Sequence, residues 1–180
     1  MEGVIRTRVG YAGGSTGTPT YRNLGDHTET YQVDFDPSIV TYERLLEEFW
    51  KSHDPVGRVW SRQYRSVIFF HSEEQRRLAE VTKQAQETRR GRSLNTVIEP
   101  FTVFHPAEDY HQKYRLRNER ALVSELLAAY PEQRGFMNST AAARINGFLS
   151  GFGDHRRLRR EIAEYGLSEA GQELLLRRTR

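Results

Sequence analysis

The segment from Val9 to Phe35 contains residue types that could form one wall of a catalytic pocket. Its glycines permit close backbone approach, and Tyr21, His27 and Glu29 supply hydroxyl, imidazole and carboxyl groups. A carboxyl group in an apolar, aromatic pocket is kept protonated by desolvation, so it can donate a proton to a substrate. Glu29 carries the carboxyl group of this segment, but considered by itself it fits a solvated strand glutamate better than such an acid.

His27 lies two residues before Glu29, so their side chains share one strand face if the strand has begun there. It either supports Glu29 or makes a structural hydrogen bond elsewhere.

The composition excludes several kinds of protein. A chain of 180 residues with 37% hydrophobic and 28% charged residues is globular. The absence of cysteine excludes disulfides, cysteine-ligated zinc and thiolate catalysis within this chain. No apolar run approaches the roughly 20 residues of a membrane span, and the first residues do not resemble a secretory signal. The sequence therefore predicts a cytoplasmic protein without a membrane partner.

The charge pattern argues against a nucleic-acid partner. The net charge is +3, and most basic residues are arginines dispersed among glutamates. The densest basic run, residues 156–160, is followed by Glu161 and Glu164 at helical spacing, as on a solvated helix face. An anion-binding patch is the alternative for this run.

Hydrophobic periodicity predicts alternating strands and helices, and hence a mixed α/β structure. Alternating or apolar runs predict strands that we expect to share one sheet, over residues 4–9, 28–35, 64–70 and 96–101. Helices are predicted from Thr41, with Ser38 or Thr41 as N-cap, from the capping box at Ser72 to about Arg90, and after Pro106 to about Tyr130.

The character of the sequence changes after Tyr130. Glycines separate three predicted short helices, over residues 139–149, 154–165 and 168–178. We therefore divide the chain into a domain of residues 1–130 and a helical extension, residues 131–180, packed on it.

Four motifs in order resemble the peptide methionine sulfoxide reductase A family. They are the Val9–Phe35 segment with the residues just before it, "YERLLEEFWKSHDP", "SRQYRSVIFF" and "FHPAEDYHQKY". The resemblance covers about residues 3–130, and "FMNSTAAARINGFLSGFG" resembles the helical tail of one branch. It implies an α/β (α+β) two-layer sandwich with a mixed sheet and a C-terminal helical extension.

The resemblance implies reduction of methionine-S-sulfoxide, free or in proteins, as a repair of oxidative damage. Glu29 matches the family's proton donor, and Tyr21 and Tyr64 match the tyrosines that bind the sulfoxide oxygen. Trp60 either walls the pocket or is an ordinary core or surface aromatic. No bound cofactor or metal is implied; thioredoxin or another thiol would be the reductant, and a monomer is expected.

The family's nucleophile is a cysteine in a "GCFWG" motif that this sequence does not contain. Gly3 aligns just after the helix that carries this motif. The resemblance therefore does not cover the family's first strand and catalytic helix. We expect an exposed apolar groove or sheet edge in their place, and no reductase activity from these residues alone. Three explanations stay open: a longer native chain with an upstream cysteine or selenocysteine, a sulfoxide- or small-ligand-binding relative without catalysis, and a fragmentary gene product.

Overall fold

A computed structural model describes residues 1–57 and 61–179, and the strands in them form two separate sheets. In the first, β1 (Val4–Ala12) pairs antiparallel with both β2 (Thr28–Phe35) and β5 (Phe104–Pro106). In the second, β3 (Val67–Phe70) runs parallel to β4 (Val97–Pro100). The predicted single sheet is therefore wrong, because β1 and β2 belong to one sheet and β3 and β4 to the other.

An open groove of about 1610 Å³ lies between β2 and β3. Val33 and Phe35 of β2 and Val67 and Phe69 of β3 line it. Paired strands lie roughly 4.8 Å apart, whereas β2 and β3 belong to different sheets and do not pair within the described residues. The groove is the apolar opening that the sequence predicts.

Strand β1 continues to Ala12, three residues past the end of the strand predicted over residues 4–9. A side chain at Gly10 would collide with the carbonyl oxygen of His105 and the ring of Phe104. Glycine at this position thus lets β5 approach β1, so that the residues from Gly10 to Ala12 pair with β5 as well as with β2.

The helices beside the groove begin where their capping residues predict. Helix α1 (Tyr42–Ser52) is capped by Thr41, whose hydroxyl accepts the N–H of Arg44. Helix α2 (Glu73–Arg90) is capped by Ser72 and ends at Gly91 in the left-handed conformation. The faces of α1 and α2 that pack against β3 and β4 bury apolar side chains. The core that they share consists of Leu46, Trp50, Ile68, Ala79 and Leu94.

The long helix predicted after Pro106 is wrong. Residues 109–113 form turns, followed by α3 (Tyr114–Arg117) and α4 (Arg120–Ala129). Lys113 is in the left-handed conformation, with φ 56°, and its buried ammonium donates to the carbonyl oxygen of Thr7. The side chain of Gln112 pairs with both backbone groups of Val9, at 3.1 and 2.7 Å. These bonds to β1 hold the segment out of a helix. For the same reason Asp109 and His111, which follow Pro106 at the start of the predicted helix, lie in a turn.

The C-terminal helices lie where the sequence predicts them, with α5 added. They are α5 (Gln133–Asn138), α6 (Thr140–Leu149), α7 (His155–Glu161), a 3₁₀ turn at Ile162–Tyr165, and α8 (Glu169–Arg178).

One hydrophobic core contains residues from both sides of position 130. Leu122 and Leu126 of α4 pack there with Phe136, Leu158 and Leu175, all fully buried. The division into a domain and an extension stays a prediction. No helix among the described residues is long and apolar enough to span a bilayer.

Candidate functional site

Tyr21 and Glu29 face the same pocket of about 310 Å³, beside β1 and β2. Glu29 is on β2, directly opposite Tyr11 of β1. Tyr21 belongs to the loop that joins these strands, and its ring packs against His111 with 4.8 Å between ring centroids. The loop and the strand thus bring together two of the predicted site residues, eight positions apart in sequence.

Tyr64 reaches the same site from the other sheet. It ends a 3₁₀ turn, Arg62–Tyr64, just before β3, and with Glu29 it lines the groove between the sheets. Partial desolvation and then the charge of Glu29 raise the pKa of the Tyr64 hydroxyl, and the nearby Tyr21 hydroxyl adds to this shift. The structure therefore brings Glu29, Tyr21 and Tyr64 together from three segments.

Glu29 is exposed, although its predicted role as proton donor calls for a desolvated carboxyl group. One of its oxygens accepts a hydrogen bond of 2.7 Å from the side-chain amide of Gln63, which precedes Tyr64. The open groove leaves the carboxyl accessible, because no described residue covers it there.

His27 does not line the pocket with Glu29. It is 1% exposed and lies just before β2, and its Nε2 is 2.7 Å from the carbonyl oxygen of Thr16. Its ring also meets that of His105 edge to face, at 5.2 Å between centroids. His27 thus holds the loop that carries Tyr21. Trp60, the other supporting candidate, lies outside the described residues.

Asp26, the residue before His27, organises the same loop. Its carboxylate accepts hydrogen bonds of 2.8–3.0 Å from the backbone N–H groups and hydroxyls of Ser15 and Thr16. These bonds, the backbone ones first, hold the pKa of Asp26 well below its usual range. The carboxylate therefore stays ionised at neutral pH and fixes the start of the loop.

Glu108 is a site residue that the sequence analysis missed. Its carboxylate accepts a hydrogen bond of 2.7 Å from the hydroxyl of buried Tyr11 and one of 3.0 Å from the backbone N–H of Tyr21. Burial alone would raise the pKa of Glu108, but the hydrogen bonds outweigh it, and the pKa is lowered. No local signal could reveal this role, since Glu108 and Tyr21 are 87 positions apart.

The arrangement could bind a polar oxygen and protonate it. Glu29 shares the pocket with Tyr21 and the apolar groove with Tyr64, so a ligand oxygen held among these three side chains could accept their protons. No group of three His, Asp or Glu side chains in residues 1–57 and 61–179 could hold a metal ion.

Comparisons with known proteins identify relatives of the chain. The family model described as peptide methionine sulfoxide reductase matches residues 1–142. The chain is 40% identical over 169 residues to a peptide methionine sulfoxide reductase of Drosophila melanogaster, covering 93% of this chain and 68% of the relative. It is 44% identical over 156 residues to peptide methionine sulfoxide reductase A5 of Oryza sativa subsp. japonica, covering 83% and 61%.

A solved structure has a fold similar to that of this chain. Reduced Mxr1 from Saccharomyces cerevisiae superposes with a TM-score of 0.60 at 30% identity, covering 66% of this chain and 74% of that one. The chain thus spans about three fifths to three quarters of the length of these relatives. The extent of the family match and these identities show that the chain belongs to the peptide methionine sulfoxide reductase family.

Proposed function

We propose that this chain supplies the oxygen-binding and proton-donating half of a peptide-methionine (S)-S-oxide reductase site. Glu29 donates the proton, and the hydroxyls of Tyr21 and Tyr64 bind the sulfoxide oxygen. The observation that carries the proposal is the convergence of these three side chains from two sheets and one loop. Glu29 shares the pocket with Tyr21 and the apolar groove with Tyr64, whose hydroxyl lies near that of Tyr21. Cytoplasmic location and a monomeric state stay predictions.

The thiol must come from outside these residues, because the sequence contains no cysteine. A thiolate attacks the sulfoxide sulfur while Glu29 gives its proton to the oxygen. The sulfur–oxygen bond breaks and the oxygen leaves as hydroxide, so a sulfonium with a new sulfur–sulfur bond remains. Hydroxide then attacks the thiol sulfur of this sulfonium, which releases methionine and leaves the thiol oxidised to a sulfenic acid. Two thiol equivalents, from thioredoxin or another reductant, then restore the first thiol and release water.

The groove between β2 and β3 is the place where the thiol-bearing segment would bind. Its walls are apolar side chains from both strands and from Leu45 and Phe49 of α1. The edges of β2 and β3 that face it make no strand pair with any described residue, so an added strand could hydrogen-bond there. Such a segment would also cover Glu29 and supply the desolvation that the described residues lack.

The proposal predicts that the chain as it stands does not reduce methionine sulfoxide. Loss of a covalent nucleophile removes several orders of magnitude in rate. Joining a family-type first strand and "GCFWG" helix ahead of Gly3 should create activity, measured as methionine formed with dithiothreitol or thioredoxin. Activity of the unjoined chain comparable to the joined one would overturn the assignment of the nucleophile.

In the joined protein, Glu29→Gln should lower kcat by about 10²–10⁴, because the amide keeps a hydrogen bond but cannot give up a proton. Tyr21→Phe and Tyr64→Phe should each cost less, since either hydroxyl partly replaces the other. The matched control is Glu80→Gln, an exposed glutamate on α2 that pairs with Arg76, and it should leave kcat unchanged. Equal rates for Glu29→Gln and its control would refute the role of Glu29.

A binding protein without catalysis is the second candidate, since two hydroxyls and a carboxyl group can hold an oxygen without a thiol. Titration with N-acetyl-methionine sulfoxide amide, followed by NMR, separates the two. Binding at Tyr21 and Tyr64 in the joined protein without any methionine formed would favour the second candidate.

A further inference from the structure

The candidate site spans two sheets that share no strand pair within the described residues. Glu29 and the Tyr21 loop belong to the side of β1 and β2, whereas Tyr64 and Gln63 belong to the side of β3 and β4. Without a shared backbone ladder, side chains must set the distance between the two halves.

Arg65 makes such a connection, immediately after Tyr64. Two of its guanidinium nitrogens donate to the two carboxylate oxygens of Glu99 on β4, at 2.5 and 2.6 Å. The third, Nε, donates to the hydroxyl of Thr28, the first residue of β2, at 2.8 Å. One rigid planar group therefore joins both sheets. Arg65 directly follows Tyr64 in the sequence, and its partner Thr28 directly precedes Glu29.

The surroundings of Arg65 leave this connection little freedom. Thr28 is fully buried, and its hydroxyl donates its own proton to the carbonyl oxygen of Arg62 at 3.1 Å. Only 16% of the Arg65 side chain is exposed. A side chain at Gly13, where the Tyr21 loop begins with φ +74°, would lie 3.0 Å from the Arg65 guanidinium and 2.5 Å from the Phe69 ring.

Ionic pairing also favours this geometry. The hydrogen bonds from Arg65 lower the pKa of Glu99, against the opposing effect of burial. The carboxylate is thus ionised at neutral pH and holds two of the five guanidinium N–H donors in a bidentate pair.

We infer that Arg65 is a positioning residue, which sets Tyr64 and Gln63 against Glu29 and Tyr21 across the gap between the sheets. The positioning role follows from the geometry, and only its expected effect on catalysis rests on the proposed function. Arg65 does not line the pocket of Tyr21 and Glu29, although it lines the adjoining groove. Its hydrogen bonds go to Glu99 and Thr28 and not to the site side chains, so it acts through the residues beside it.

The test is NMR of the chain as it stands, with two site contacts as the readout. They are cross-relaxation between the side chains of Gln63 and Glu29, and between the ring protons beside the neighbouring hydroxyls of Tyr21 and Tyr64. Arg65→Met should abolish both contacts, and Arg65→Lys should weaken them, because an ammonium cannot bind Glu99 in bidentate fashion and Thr28 together. Glu99→Gln, which keeps the Thr28 bond, should give an intermediate result. If Arg65→Met does not fold, these two variants decide.

The matched control is Arg77→Met. Arg77 makes an equally bidentate pair with Glu74, at 2.9 and 2.6 Å, but on the exposed face of α2. It should leave both site contacts intact. Persistence of the contacts in Arg65→Met, or in both Arg65→Lys and Glu99→Gln, would overturn the inference, as would their loss in Arg77→Met.

The consequence for catalysis is measured in the joined protein described above. A displacement of 1 Å can cost about 10²-fold in rate, so Arg65→Met should lower kcat by that order with a smaller change in KM. Unchanged kcat with lost contacts would show that Tyr64 has no role in turnover, which contradicts the proposed function. Retained contacts would contradict the positioning role of Arg65, whatever the activity.

Discussion

Substitution of Tyr11 by phenylalanine tests whether Glu108 anchors the candidate site. Tyr11 is 2% exposed, and its only polar group donates to Glu108 at 2.7 Å, while the other Glu108 oxygen accepts the Tyr21 N–H. Phenylalanine keeps the ring and its packing, so the substitution removes one hydrogen bond to a carboxylate and little else.

The expected loss of stability follows from the exposure of the partner. A hydrogen bond to a charged group contributes about 1.5–3 kcal/mol. Glu108 is partly exposed, so water can replace the lost donor, and the lower end, about 1.5 kcal/mol, applies. Each kcal/mol shifts the Tm of a chain of this size by about 2–4 °C, which predicts a drop of about 3–6 °C.

The pH dependence gives the sharper test. The folded-state pKa of Glu108 is lowered from 4.5, so its contribution is complete above the unfolded value and is lost as pH falls through the folded value. The difference in unfolding free energy between the wild type and Tyr11→Phe should therefore be largest at neutral pH and should shrink below pH 4.5. Urea denaturation at a series of pH values measures it.

Tyr165→Phe is the matched control. Tyr165 is 6% exposed and donates to Glu161 at 2.8 Å, in the C-terminal helices. It should cost a similar free energy and leave the NMR signals of Tyr21 unchanged, whereas Tyr11→Phe should shift them. Wild-type stability of Tyr11→Phe, or a loss that does not vary with pH, would refute the anchoring role of Glu108.

Three further predictions concern the loop and the core. Asp26→Asn should speed proteolysis of the loop over residues 13–25, because it weakens the hydrogen bonds to Ser15 and Thr16; a cleavage rate equal to that of the wild type would contradict this. Leu126→Ala, at a fully buried position, should cost about 2–5 kcal/mol in urea denaturation, whereas Val81→Ala, at a side chain 52% exposed, should stay within about 0.5 kcal/mol. Removal of residues 131–180 should expose the α4 face of the shared core and increase binding of a hydrophobic dye; unchanged dye binding would show that residues 1–130 form a complete core.

Features that depend on near neighbours could be predicted from the sequence. Thr41, Ser72 and Gly91 bound α1 and α2 because a capping bond or a left-handed residue acts within one turn. The strand at Thr28–Phe35 follows from alternation alone. The family, too, is recognisable from its motifs, which also identify Tyr21, Glu29 and Tyr64 as candidates.

Tertiary structure decided the features that depend on distant partners. Whether β2 and β3 pair depends on the backbone that lies between them, and their own residues are equally compatible with one sheet or two. Lys113 lies in a run with helical character, yet its bond to Thr7 across 106 positions interrupts the helix. Glu108 likewise has no local signature, because a carboxylate is an ordinary residue until folding places two donors against it. Long-range hydrogen bonds of this kind are specified by packing, which sequence periodicity does not contain.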